Sequence, residues 1–177
     1  PWQYRHHSCD VAAETLGVFA PLVRLWQEHA GARVLPAWSD FEFVAFGRDL
    51  EVRTDSWAAL EPYDVAIVRG WKILEENASA AHSLLRTDDQ WQLFNLLQND
   101  RADIVIYSRF EGYALIDAMG IEGAKALEPP LAKREMYLYL NVNHRKLVSP
   151  LAEALRAMKA DNTYRTLQEQ VLGPYLK

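Results

Sequence analysis

Two short groups of residues in this 177-residue chain have the types and the surroundings to serve a ligand: Arg69-Gly70-Trp71-Lys72 and Tyr107-Ser108-Arg109. The first follows the β-rich run Val65-Ala66-Ile67-Val68, and its glycine permits a sharp turn into a helical segment, Trp71 to Ala81. Free backbone N–H groups at a helix start attract anions, and Arg69 and Lys72 add two cations beside them. The second group closes the run Ile104-Val105-Ile106-Tyr107, and the C-terminal ends of parallel strands are where open α/β sheets gather ligand groups. Both groups therefore face one sheet edge. The Gly-x-x-x-x-Gly-Lys-Ser/Thr pattern is missing, so a nucleoside triphosphate is not the expected ligand.

Other constellations carry less chemistry. His6-His7-x-Cys9-Asp10 has metal-ligand types but no returning pair, and its spacing fits no recognised zinc pattern. His29, His82 and His144 stand alone, with neither a Gly-x-Ser-x-Gly element nor a His-Glu-x-x-His helix. Glu75-Glu76 and Asp88-Asp89 read as helix-face and first-turn charges, the latter favoured by the helix dipole. No catalytic residue, metal site or cofactor is expected. With 19 Lys+Arg against 24 Asp+Glu the net charge is −5, and the dispersed cations offer no phosphate-backbone surface, so nucleic acid is not an expected partner.

A chain of this size buries roughly 70% of its unfolded surface, so half-hydrophobic composition alone suffices for a core. A single cysteine, Cys9, allows no internal disulfide. The longest strongly apolar run, Leu16 to Val23, is far short of the ~20 residues that span a bilayer, and it contains Pro21. Pro1, with neither an initiator Met nor a basic-then-apolar leader pattern after it, reads as a processed or trimmed start.

The elements that must position the two groups follow from periodicity. Val65–Val68, Leu84–Arg86 and Ile104–Tyr107 read as strands joined by two helices, which makes right-handed parallel crossovers. Thr87 with Gln90 three residues on suggests a capping box for a helix reaching about Gln98, and Glu111 to Met119 forms another that stops at Gly120. Phe41–Phe46 and Met136–Asn141 read as alternating strands, the latter aliphatic on one face with Tyr and Asn on the other. Ser149-Pro150 reads as a cap and first helical position, with Leu147, Leu151, Leu155 and Met158 on one face. Asp161-Asn162 then breaks the chain before a last helix with Tyr164, Leu167 and Val171 inward. The expected class is α/β.

The stretches Tyr63–Glu75, Gln92–Leu97 and Arg101–Ile106, followed by Met136–Asn141, Leu147-Val148 and Ala157–Tyr164, together resemble bacterial extracellular solute-binding proteins of family 3, the polar amino-acid-binding proteins of ABC transporters. The resemblance runs from about Pro36 to the C-terminus. It implies a periplasmic-binding-protein-like, type II two-lobe architecture. Residues 1–47 would be a partial lobe 1 with the first hinge strand, 48–133 a complete parallel βαβ lobe 2, and 134–177 the second hinge strand with helices returning to lobe 1. It also implies a non-catalytic periplasmic protein, its signal peptide removed, that carries a small polar or anionic solute to an ABC-transporter permease. A sensory ligand-binding module and a dehydratase-like enzyme on the same fold are the alternatives. The implied ligand-binding residues are Val68, Arg69, Gly70, Trp71, Lys72, Tyr107, Ser108 and Arg109.

Three departures from that family's pattern matter. Ser108 stands where the amino-acid binders place an Asp for the α-ammonium, so a free amino acid held in the usual manner is not expected. Asn162 stands where glycine is usual, and Asn tolerates a left-handed conformation. Before Pro36 neither the opening strand–helix–strand nor a Thr-x-x-x-x-Arg clamp is present. Apolar faces carrying Leu151, Leu155, Met158, Leu167 and Val171 would then need other cover, from the Trp-rich first 35 residues or from a second copy in a homodimer.

Overall fold

A computed structural model of the chain describes residues 11–13 and 31–175. The readings at His6, His7, Cys9, Asp10, Pro21 and His29 lie outside them. The described strands are β1 (Val11–Ala13), β2 (Gly31–Arg48), β3 (Asp64–Val68), β4 (Ser83–Thr87), β5 (Ile104–Ser108), β6 (Ala124–Ala126) and β7 (Ala132–Asn141). The helices are α1 (Lys72–Asn77), α2 (Gln90–Gln98), α3 (Arg109–Met119), α4 (Val148–Ala160) and α5 (Thr163–Leu172). The chain divides into two compact units, one of Pro1–Asp40 with Glu135–Gln170 and one of Phe41–Arg134 with Val171–Lys177.

The second unit is built on the runs whose residues are apolar on both faces. Val65, Ala66 and Ile67 of β3 and all five residues of β5 are buried, as a parallel strand covered by helices on both sides requires. β3 lies between β4 and β5 and runs parallel to both, with Val65 opposite Leu84 and Ile104. β2 joins β5 antiparallel, Ala45 opposite Ile106, and β6 adds to β2 at Phe46–Arg48. The expected alternation in Phe41–Phe46 is absent, because Phe43, Val44, Ala45 and Phe46 are all buried. Phe43 and Phe46, three residues apart, point to opposite faces. Phe43 meets Trp71 edge-on at 5.5 Å, while Phe46 meets Phe94 of α2 and Tyr113 of α3.

Helix ends explain two further differences from the sequence reading. The cap of α2 is Asp89, not Thr87: its carboxylate accepts from the Gln92 N–H at 2.8 Å and from the Gln92 side chain at 2.9 Å. Thr87 stays in β4 with its hydroxyl donating to the Asp89 and Ile67 carbonyls. A carboxylate is the better acceptor for an N–H at the positive end of the dipole, so the cap moves two residues. Gly120 ends α3 as expected, in the left-handed region at φ 63°.

In the first unit β7 pairs antiparallel with β1, Tyr139 opposite Ala12, and the strand order runs β1-β7-β2. Its core is Val34, Leu140 and Ala152, with Leu138 and Val148 packed against them. α4 therefore turns Val148 and Ala152 inward, and Leu147 and Leu151 of the expected inner face are exposed. The helix starts at Val148 after a 3-10 turn, Val142–Leu147, so Ser149 is already inside it and bonds Glu153. Nor does Met136–Asn141 divide cleanly into two faces, since Tyr139 and Leu140 are both buried. The α4–α5 break is at Asn162, which takes the left-handed conformation at φ 65°.

Candidate functional site

The parallel register aligns the C-terminal ends of β3, β4 and β5, and the residues singled out in the sequence lie at or just beyond the ends of β3 and β5. Val68 ends β3. Arg69 turns outward, its N–H bonded to the Thr87 carbonyl at 2.9 Å, and Gly70 follows at φ 92°, a value that a side chain would strain. Trp71 is the cap of α1 and is buried at 4% exposure; its ring stacks on Tyr107 at 5.1 Å and 19°. Phe41 and Phe43 meet Trp71 edge-on, and Phe94 meets Tyr107 at 5.9 Å. The two sequence groups are thus brought together through a buried aromatic stack between the β3 and β5 ends.

The charges of the two groups sort into open and closed ones. Arg69 is mostly exposed and makes only a loose pair with Asp88 at 3.5 Å, and Lys72 is exposed. Arg109 is closed. Its Nε donates to Glu42 at 2.6 Å and its two terminal nitrogens donate to Glu128 at 2.6 and 3.2 Å, with the side chain 13% exposed. Lys133 reaches the same Glu42 at 3.6 Å. Two carboxylates already surround and neutralise this guanidinium, which disfavours a third anion beside it.

The turn at Gly70 is closed as well. Its N–H donates to Glu75 Oε1 at 2.9 Å, so the anion held there belongs to the chain, and Glu75 is more than the solvated helix-face charge expected. With α1 only six residues long, little dipole remains to draw a second anion to this turn.

On the β5 side Ser108 is buried, and its hydroxyl donates to Glu111 Oε2 at 2.8 Å. Burial, and after it the charge of Glu111, push the Tyr107 phenol well above its ordinary pKa, so it is a neutral hydroxyl at physiological pH. Glu111 was missed in the sequence. The signal was there in the spacing Ser108-x-x-Glu111, which matches a helix-start pattern and ties the two residues together. Among the described residues no group of three or more His, Cys, Asp or Glu is placed to hold a metal ion, and no helix is long and apolar enough to cross a membrane.

No family model and no curated protein matches the chain. Solved structures do. The unliganded, open L-cystine solute receptor of Neisseria gonorrhoeae superposes with a TM-score of 0.69 at 22% identity, over 93% of this chain and 68% of that one. The ligand-binding core of GluR0 in complex with L-glutamate gives 0.67 at 12% identity, over 81% of this chain and 65% of that one. A mutant arginine-binding protein from T. maritima gives 0.61 at 19% identity, over 81% and 62%. The chain thus spans less than two thirds of the length of the last two structures. Its fold is the periplasmic-binding-protein-like, type II α/β fold, present in part.

Proposed function

We propose that the chain is a non-catalytic solute-binding component of an ABC transporter, or a shortened relative of one, that takes a small polar solute at the C-terminal ends of β3 and β5. The observation that carries the reading is the stack of Trp71 on Tyr107, which joins the two strand-end groups, with the exposed cations Arg69 and Lys72 on either side of Trp71 in the chain, on a fold otherwise seen in proteins that bind small solutes. Apolar walls with few placed polar groups are the general make-up of small-molecule sites. Of the eight residues the sequence singles out, Arg69 and Lys72 are the ones free to meet an anionic part of the solute. Val68, Gly70, Trp71 and Tyr107 shape the stack and the turn, Ser108 lines the β5 end, and Arg109 holds the stack in position through Glu42 and Glu128. Residues 48–133 form the lobe that carries these contacts, and the periplasm is where such a carrier works.

The reading assigns no bond-making step. Among the described residues Arg109 is committed to carboxylates, Tyr107 is held neutral, and the Ser108 hydroxyl donates to a carboxylate and not to an imidazole. Native mass spectrometry of freshly purified protein tests the proposal. A fraction of molecules carrying a small-molecule adduct, lost on mild heating without change in the solute, is expected. An adduct-free mass together with no thermal shift from amino acids, polyamines or dicarboxylates overturns it, and a chemically altered solute would point instead to the dehydratase-like alternative.

A further inference from the structure

We propose that the outer edge of β4 is a docking surface for a second copy of this chain, the two strands pairing antiparallel about a twofold axis at Leu85. β4 ends the strand order, and among the described residues no strand lies beyond it. A bare edge offers a row of main-chain donors and acceptors to another chain. Which residues offer them follows from the ladder to β3. The Thr87 carbonyl faces β3, where it accepts the Arg69 N–H at 2.9 Å, so Ser83, Leu85 and Thr87 turn their main-chain groups inward and Leu84 and Arg86 turn theirs outward. The outward Leu84 carbonyl is met by the Arg86 guanidinium at a long 3.4 Å, a contact that a strand partner's N–H would displace. Leu85 is 39% exposed and Trp91, in the first turn of α2, is 52% exposed, so apolar surface continues past the strand.

The sequence of β4 is its own complement in one register. With Leu85 opposite Leu85, Leu84 lies opposite Arg86 in both directions, and these outward-facing residues exchange roughly four main-chain hydrogen bonds across the axis. Leu85 then forms a non-hydrogen-bonded pair with its copy, the geometry in which facing side chains come closest. Further out Ser83 meets Thr87, and at each end His82 meets Asp88, an imidazole against a carboxylate. Both of these side chains stand in the open, 72% and 77% exposed. His82 bonds Asp64 through Nδ1, which leaves Nε2 for the copy's Asp88, and Asp88 makes only its loose 3.5 Å pair with Arg69. Neighbouring registers are worse. Sliding the strands one way sets Arg86 against Arg86 and the other way sets Arg86 against His82, and like charges directly opposite are destabilising. A charged residue on an edge guards against indiscriminate pairing, and here Arg86 selects the register.

Sedimentation of the purified chain should shift from monomer at about 10 μM toward dimer at about 1 mM, since one short strand pair buries little surface. Arg86→Pro removes an outward N–H that the ladder to β3 does not use, so it should leave the melting temperature near that of the parent and weaken association tenfold or more. In a Cys9→Ser background, Leu85→Cys should link two copies on mild oxidation, because facing residues of such a pair lie about 4.5 Å apart at Cα, within disulfide reach. Glu122→Cys, at an exposed position outside β4, is the control. If Arg86→Pro does not fold, the cross-link decides alone: faster linking through Leu85→Cys than through Glu122→Cys supports the pairing, and equal rates overturn it. A chain that stays monomeric at about 1 mM overturns it too. So does a dimer that survives Arg86→Pro and is lost in Leu151→Glu with Leu167→Glu.

Discussion

Side-chain pairs on this chain differ in how much of their surroundings is water, and that decides what each is worth. Asp64 accepts from Ser83 at 2.7 Å and from His82 at 2.9 Å at the start of β3, in the open. The hydrogen bond with Asp64 raises the His82 pKa above its ordinary value, and the hydrogen bonds from His82 and then Ser83 lower that of Asp64. A raised histidine contributes stability that is full below its unfolded pKa and lost as pH rises through the folded one. A lowered carboxylate contributes stability present above its unfolded pKa and lost as pH falls through the folded one. Both contributions overlap at roughly pH 5, between the reference values of the two groups. Asp64→Asn should therefore lower the melting temperature most near that pH and less above pH 8, where the charged histidine is gone and the Ser83 bond to the carboxylate remains, and NMR titration should show His82 returning to its ordinary pKa. Arg109 is the contrasting case, since its fork is largely buried. Arg109→Met strands Glu42 beside Lys133 alone and should cost about 1–3 kcal/mol in urea unfolding, toward the lower end because Glu128 is half in solvent.

Elements meet at places where one side chain would be too many. Gly112 in α3 lies over Phe46, and a Cβ there would come within 2.3 Å of the ring, which is itself wedged between Phe94 and Tyr113. Gly112→Ala should destabilise the second unit by about 1–3 kcal/mol even though alanine is the better helix former, because the ring has no room to yield. Chemical denaturation checks this, and an unchanged midpoint would mean that Phe46 repacks freely. The α4–α5 break makes the opposite demand. Asn162 sits at φ 65°, so Asn162→Gly should be tolerated, while Asn162→Val should cost roughly 1–2 kcal/mol by forcing a β-branched residue into the left-handed region. Melting temperatures of the two variants should separate accordingly.

For the molecule as a whole the open question is what meets its exposed apolar residues. Val142, Leu147, Leu151 and Leu167 are each more than a third exposed, as is Val171, and the packed side of α4 is carried by Val148 and Ala152 instead. Large apolar surface on a soluble protein marks an interaction site. A homodimer through these residues is one of the two covers the sequence offers: in that case light scattering gives twice the chain mass, and Leu151→Glu with Leu167→Glu halves it without lowering the melting temperature. A strictly monomeric particle at tens of micromolar would refute the dimer and leave the Trp-rich first 35 residues, expected from the sequence as the other cover, to be tested by deletion.

What the sequence by itself determined is whatever depends on neighbours along the chain. The parallel strands β3, β4 and β5 and the glycine stop after α3 were legible because a doubly buried strand must be apolar throughout and a left-handed stop favours glycine. The left-handed break at Asn162 was legible for the same local reason. The positions of Arg69, Trp71, Tyr107 and Ser108 at strand ends followed from the same runs. Their roles did not. Only tertiary structure decided that Arg109 meets Glu42, 67 residues away, and Glu128, 19 residues away, so that a cation expected at the ligand is spent inside the fold. It also decided that Trp71 lies flat on Tyr107, that Glu75 closes the Gly70 turn, and that Ser108 hands its hydrogen to Glu111. Periodicity records which face a residue is on, whereas charge pairing and stacking depend on which groups the fold brings within about 3–5 Å, and no spacing along the chain carries that distance.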